Sequence, residues 1–330
     1  MKDGATTPVL EVENLTTHIT LKRGTVRAVD GVSFHVNERE TLGLVGESGS
    51  GKSMTSLSIL RLIPKPGART IAGEVRLDGV NVLELDEAEM VSEYRGRKIS
   101  MISQDPMTSL NPVFTIGDQV SAPILYHKLV QGAKAIRDAA VRVLSRVKIP
   151  SPEKRLDDYP HQYSGGMRQR VVTSMAIACQ PRLMICDEPT SNLDVTIQVQ
   201  IIKLLREIQQ ETDVGLIFIT HDMGVAANIC DRIAVMYGGR IVEIGDVETI
   251  FANPAHPYTQ GLLQSIPHLG HRRERLYSIE GNPPDMLNPP PGCRFAPRCP
   301  HATDQCRAAY PPETELKPGH SASCWLVGEP

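Results

Sequence analysis

The residues most able to do chemistry form the run Gly46-Glu47-Ser48-Gly49-Ser50-Gly51-Lys52-Ser53, which fits G-x-x-x-x-G-K-[ST] without a mismatch. Glycines at this spacing let backbone N–H groups curl around phosphate oxygens, and a following helix N-terminus adds a favourable partial charge. In such a P-loop Lys52 suits the β- and γ-phosphates, and the Ser53 hydroxyl suits Mg²⁺. Ser48, Ser50 and Met54 count with the loop as nucleotide-contacting positions. A carboxylate pair follows at Asp187-Glu188, after the apolar run Leu183-Met-Ile-Cys186. Asp187 is placed to hold Mg²⁺, and Glu188, one residue on, to orient or deprotonate an attacking water. Gln104, Ser164-Gly165-Gly166, Asp194 and His221 complete the polar set. Each of these has a bland reading when taken alone: a surface Gln, a glycine turn, a strand-end His. Their order on one chain is what raises their weight.

The elements that must position them are legible in outline. Thr41–Val45 reads as a buried strand entering the P-loop, and Met54, Leu57, Leu60 and Leu62 mark one side of a helix leaving it. Ile99–Ser103 and Leu216–Thr220 are apolar strands ending at Gln104 and His221. Carboxyl ends of such strands are where α/β sheets place ligands. Ser164–Gly166 opens a helical stretch over Met167–Cys179, a second helix terminus suited to an anion. Residues 9 to 45 read as short strands, and 112 to 160 as mainly helical, with a core-facing apolar side over Ala139–Val147. Ile233–Tyr237 and Arg240–Ile244, joined by Gly238-Gly239, predict a hairpin.

In this order the motifs resemble the nucleotide-binding subunit of ATP-binding cassette (ABC) transporters over about residues 8 to 250. The resemblance makes Gly46–Ser53 the Walker A motif and Gln104 the Q-loop, with Mg²⁺ contact as well as a catalytic role. Ser164–Gly166 becomes the signature, Asp187 and Glu188 Walker B, Asp194 the D-loop and His221 the γ-phosphate-contacting H-loop. It implies an α/β fold: a RecA-like P-loop domain with antiparallel β and helical subdomains. It also implies two such domains sandwiching ATP head to tail. The insertion at about 105–165 would carry the contact to membrane subunits. Three departures stand out. Thr17-His18-Ile19 lacks the aromatic that usually stacks on adenine, leaving His18 or apolar contact near Val26 to serve. Arg39 occupies a usual glycine position before Glu40, and Met167 replaces the more common signature Gln.

With 38 acidic against 35 basic residues and 4% aromatics, composition gives no case for nucleic-acid binding. No apolar stretch approaches the ~20 residues that span a bilayer. The start Met1-Lys-Asp-Gly does not read as a signal peptide, so a cytosolic chain is expected, with any membrane role exercised through partners.

After about residue 250 prolines recur at 254, 257, 267, 283, 284 and 289 to 291, and an appended module over 251–330 is expected beside a domain over 1–250. Cys293, Cys299, Cys306 and Cys324 cluster there, whereas Cys179, Cys186 and Cys230 lie in apolar segments as small core residues. Four clustered thiols in a cytosolic chain favour a metal over disulfides. Zinc and a [4Fe–4S] cluster are both open on chemistry alone, although the C-x₂₋₄-C knuckles of structural zinc are missing. Asn253–Pro267, Gly281-Asn-Pro-Pro284, Gly292–Pro300 and Gln104–Pro112 resemble the oligopeptide/dipeptide importer ATPases, and Met167 their D-type subunit. Members with this cysteine array carry a [4Fe–4S] cluster, which the resemblance therefore favours here.

The resemblance implies an ATP-hydrolysing subunit powering peptide uptake across the bacterial cytoplasmic membrane, peripheral on its cytoplasmic face. Its implied partners are a second, non-identical F-type ATPase, two permease subunits and an extracytoplasmic substrate-binding protein. Nickel chelates or oligosaccharides are alternative cargoes. A soluble ABC-type ATPase acting on nucleic acid or ribosomes is the competing class, disfavoured because no long coiled-coil insertion or second cassette is visible.

Overall fold

The computed structural model describes residues 8–191, 193–266 and 277–327. Among these the strands, in chain order, are β1 (Leu10–Leu21), β2 (Gly24–Val36), β3 (Thr41–Val45), β4 (Ala68–Leu77), β5 (Val80–Asn81), β6 (Ile99–Ile102), β7 (Leu183–Asp187), β8 (Gly215–Thr220), β9 (Arg232–Tyr237), β10 (Arg240–Asp246), β11 (Thr314–Lys317) and β12 (His320–Ala322). The chain divides into two compact units, one built around Glu84–Ile217 with Asn37–Arg39, the other from Leu10–Val36, Glu40–Leu83 and Phe218 onward.

The second unit holds two sheets. One is antiparallel with order β2-β1-β4-β5. The other runs β11-β12-β10-β9-β3, with the last residues of β8 beside β3. β3 is buried along its whole length and pairs in parallel with β9, Val45 opposite Val235. That pairing delivers the chain straight into Gly46. The β9–β10 hairpin forms where the sequence places it, Arg240 opposite Tyr237. Gly238 and Gly239 both take positive φ, 53° and 79°, the backbone a two-residue hairpin turn demands. The residues after 250 extend this same sheet, since β12 pairs with β10 at Glu243–Ala322 and Ile244–Ser321.

In the first unit β7 is fully buried, with β8 and β6 as its neighbours. β6 and β7 are parallel, Ile102 opposite Cys186. Helices Ile116–Tyr126, Ala133–Arg146, Gly165–Ile177 and Val195–Thr212 make up most of the remainder. Thr115 and Asp118 form a reciprocal capping box that fixes where the first of these begins. Ala139, Ala140, Leu144 and Val147 are buried, which is the apolar side expected for that stretch. Among the described residues no helix is long and apolar enough to cross a membrane.

Candidate functional site

The phosphate loop is built by close backbone approach. A Cβ added at Gly46 would lie 2.2 Å from the Met236 carbonyl oxygen, and one at Gly51 2.5 Å from that of Ala28. Only glycine fits at either position, and Gly51 also needs its φ of 106°. Gly49 takes φ 79° in open space. The helix Lys52–Ile59 starts at the end of the loop, and Gly239 N–H donates to the Ser50 carbonyl at 2.8 Å. Lys52 is 5% exposed, its Nζ donating to the carbonyls of Gly46 at 2.7 Å and Glu47 at 3.0 Å. Ser50 Oγ is buried without a hydrogen-bond partner, a polar atom whose burial invites an anion's acceptor oxygen.

That helix corrects one expectation. Of the four residues expected on one side, Leu60 is buried, Met54 and Leu57 are half-buried and Leu62 is exposed; the buried side of the helix itself carries Thr55, Ser56, Ser58 and Ile59. The reason is local: Thr55, Ser56 and Ser58 hydroxyls donate to the carbonyls of Gly51, Ser53 and Met54. A hydroxyl satisfied in this way can be buried at little cost, and it hides from a hydrophobicity pattern. Ser53 is exposed at the start of the helix.

In the same unit His221 lies on the surface one residue past β8. Asp222 beside it caps the next helix, accepting from the N–H groups of Gly224 and Val225. His18, the residue standing where an adenine-stacking aromatic is usual, pairs with Arg27 of β2 and Arg69 of β4. Its Nε2 is buried without a partner.

In the other unit Asp187 ends β7 at 7% exposure, and Glu188 turns out of the strand with φ 46°. Gln104 Nε2 donates to Glu188 Oε2 at 3.1 Å, and Ser191 Oγ donates to the same oxygen at 2.8 Å. The parallel register of β6 and β7 produces this meeting, because continuing it past Ile102 and Cys186 brings 104 opposite 188. A carboxylate held by two neutral donors stays oriented yet keeps acceptor capacity for a water. Ser164 caps the helix Gly165–Ile177, accepting from Met167 N–H at 3.4 Å, and Asp194 caps Val195–Thr212, accepting from Ile197 N–H at 3.0 Å. A Cβ on Gly166 would meet Ile197 Cγ2 at 2.8 Å, so the signature packs on the helix that Asp194 opens. Around Gly165 the space is free.

Arg39 receives a structural account. It sits at φ 59°, the left-handed conformation that favours glycine, and is ion-paired with Asp213. Cys186 is fully buried, and burial together with Asp187 pushes its thiol up to about 12. Cys230 is buried likewise, whereas Cys179 is half-buried.

The four clustered cysteines, 293, 299, 306 and 324, line one cavity together with His256, Phe295, Trp325 and Leu326. Burial pushes the Cys293 thiol up to about 11. Among the described residues, no group of three or more His, Cys, Asp or Glu side chains is arranged so as to hold a metal, so the arrangement of these thiols does not by itself support the cluster or zinc expected from the sequence. Sequence reasoning missed the ion pair of Arg298 with Glu47 inside the phosphate loop, 251 residues apart in the chain.

Comparison with known proteins finds matches over almost the whole chain. The ABC transporter family model matches residues 29–191, and that of the oligopeptide/dipeptide transporter C-terminal region matches 242–306. The chain is 49% identical over 322 residues to a probable peptide ABC transporter ATP-binding protein, y4tR, of Sinorhizobium fredii, covering 97% of this chain and 96% of that one. It is 50% identical over 318 residues to the dipeptide transport ATP-binding protein DppD of Bacillus subtilis, covering 96% and 94%. Among solved structures it is similar to the dimeric ATP-binding cassette MJ0796 in a post-hydrolysis state with ADP and phosphate. The TM-score there is 0.64 at 25% identity, over 72% of this chain and 98% of that one.

Proposed function

Because the chain belongs to the family of ATP-binding proteins of peptide ABC transporters, we propose that it hydrolyses MgATP to drive peptide uptake. The observation that carries this reading is the phosphate loop, whose Gly46 and Gly51 admit no side chain and whose Ser50 hydroxyl is buried without a partner. Backbone N–H groups of Gly46–Ser53 hold the phosphates, with Ser48, Ser50 and Met54 at the edges of the cradle. Lys52 exchanges its two carbonyl acceptors for phosphate oxygens. Ser53 in one unit, and Asp187 and Gln104 in the other, each offer an oxygen donor of the kind Mg²⁺ takes, a hydroxyl, a carboxylate and an amide. Bound Mg²⁺ neutralises charge on the phosphate chain. Glu188, oriented by Gln104 and Ser191, accepts a proton from the attacking water, and His221 contacts the γ-phosphate. Ser164–Gly166 and Asp194 serve the nucleotide of a second ATPase subunit, which Met167 suggests is a non-identical, F-type chain.

Exposed apolar side chains support the contacts with partners. Val113, Phe114 and Tyr159 are exposed in the stretch assigned to the permease subunits, and Val195 and Val199 just past Asp194. The chain then acts peripherally at the cytoplasmic face of the membrane, while an extracytoplasmic binding protein delivers the peptide.

The cysteine cavity is read as a [4Fe–4S] site within the segment after residue 250. A tetrahedral zinc with ~2.3 Å bonds draws its thiolates to roughly 3.8 Å from one another. A cluster spreads them over separate iron atoms. What supports a shared site is that the four thiols line one cavity; the choice of cluster over zinc rests on the family resemblance of the cysteine array. Its contribution would be structural, tying four points of the segment together.

The test is ATP turnover by the assembled transporter carrying Glu188→Gln. Retained MgATP with hydrolysis lost is the expected result; wild-type steady-state turnover refutes the role given to Glu188.

A further inference from the structure

The phosphate loop contains one acid, Glu47, in a place that must receive a polyanion. Three groups grip that residue. Its carboxylate is taken bidentately by Arg298, Nη1 to Oε2 at 2.7 Å and Nη2 to Oε1 at 3.1 Å. Its N–H donates to the Tyr258 hydroxyl at 2.8 Å. Its carbonyl accepts from Lys52 Nζ at 3.0 Å.

Lys52 is the group that must turn to phosphate, so the hold on Glu47 then rests on Arg298 and Tyr258. Both are rigidly set. The Arg298 side chain is 5% exposed and also donates to the Ile279 and Glu280 carbonyls and, at 3.2 Å, to the Tyr237 hydroxyl. Tyr258 is fully buried against Tyr237 and Phe295. An arginine withdrawn this far from water is retained only with its partners in place, and removing one leaves the other charge uncompensated.

We propose that Arg298 and Tyr258 are positioning residues for nucleotide binding: they fix the shape of the phosphate loop and cancel the Glu47 charge that would otherwise repel the incoming phosphates. The segment that carries Cys299, next to Arg298 in the chain, thereby sets the nucleotide affinity of a loop about 250 residues earlier. This rests on the reading of Gly46–Ser53 as a MgATP site. Because the Arg298 side chain is shielded from solvent while Glu47 is only partly exposed, salt should weaken the effect less than it weakens a surface pair.

The test measures MgATP affinity of the full-length chain by titration with a fluorescent ATP analogue, alongside thermal melting. Arg298→Met leaves Glu47 unpaired and should weaken binding on the order of tenfold or more. Glu47→Gln in that background removes the unpaired charge, and affinity should return to within about threefold of wild type. A merely structural role for Arg298 would lower the melting temperature of both variants without this recovery. Tyr258→Phe deletes only the acceptor of the Glu47 N–H and keeps the ring, so it reports even if Arg298→Met fails to fold. A loss of roughly three- to tenfold is expected of it. Wild-type affinity in Tyr258→Phe together with Arg298→Met overturns the proposal; should Arg298→Met not fold, wild-type affinity in Tyr258→Phe alone does. Lys52→Ala separates the two levels. If the wild type binds MgATP and Lys52→Ala does not, an unaffected Arg298→Met refutes the positioning role alone. If the wild type does not bind, the nucleotide reading fails and this inference with it.

Discussion

Gly46→Ala is the sharpest local perturbation of the phosphate loop. The new Cβ would stand 2.2 Å from the Met236 carbonyl oxygen and 2.9 Å from Ser50 Oγ. Relief requires roughly 1 Å of movement, since non-bonded carbon and oxygen do not pack much below ~3.2 Å. Met236 cannot yield easily: it belongs to β9, which pairs with β10 on one side and β3 on the other. The loop must shift instead. Overpacking of this kind costs about 1–3 kcal/mol, a loss of several degrees in melting temperature. A displacement of about 1 Å in a positioned site is worth on the order of a hundredfold in function. Gly49→Ala is the internal control, because its φ of 79° meets nothing within 4 Å. Backbone strain alone, about 1–2 kcal/mol, acts there. Titration with a fluorescent ATP analogue and a melting curve on each variant make the comparison. Gly46→Ala should lose far more affinity than Gly49→Ala. Equal affinities, or a Gly46→Ala protein indistinguishable from wild type, would refute the clash argument.

Other expectations follow from separate parts of the molecule. Anaerobically purified protein should contain iron and acid-labile sulfide at about four atoms of each per chain, and Cys306→Ser should lower both; stoichiometric zinc without sulfide would replace the cluster by a zinc site. Pull-down of this chain from its own cells should recover a different ATPase subunit rather than a second copy; a homodimer as the sole ATPase pair would contradict the assignment from Met167. His35 is held below its usual 6.5 by burial and by Arg232 beside it. As pH falls below 6.5 the unfolded chain takes the proton first, so the stability present above that value is progressively lost. His35→Gln should flatten that slope in denaturant melts taken across the interval from neutral to acid pH, and an unchanged slope would exclude His35 as its source.

How much of this was legible beforehand depended on whether the physics was local. The P-loop and the Gly238-Gly239 hairpin are contiguous runs whose backbone demands are written in their own glycines, and both appear where the sequence places them. The meeting of Gln104 with Glu188 was implied by two strand ends, but needed the parallel register of β6 and β7 to become a hydrogen bond. The buried side of the helix Lys52–Ile59 was not legible because its hydroxyls bond their own backbone, so polarity there does not mean exposure. Arg39 gave no local hint that its left-handed turn is matched by an ion pair with Asp213. The Arg298–Glu47 pair was invisible for the same reason: no short-range pattern joins residues this far apart. The four cysteines were recognisable as a set, while their sharing of one cavity emerged only from the fold of the segment.

The most direct test of the central claim is uptake of a labelled peptide by cells lacking this chain, complemented with wild type or with Glu188→Gln. Uptake restored by wild type and absent with Glu188→Gln, at equal protein levels, is the predicted result. Peptide uptake that proceeds equally without the chain, or with Glu188→Gln in its place, would contradict it.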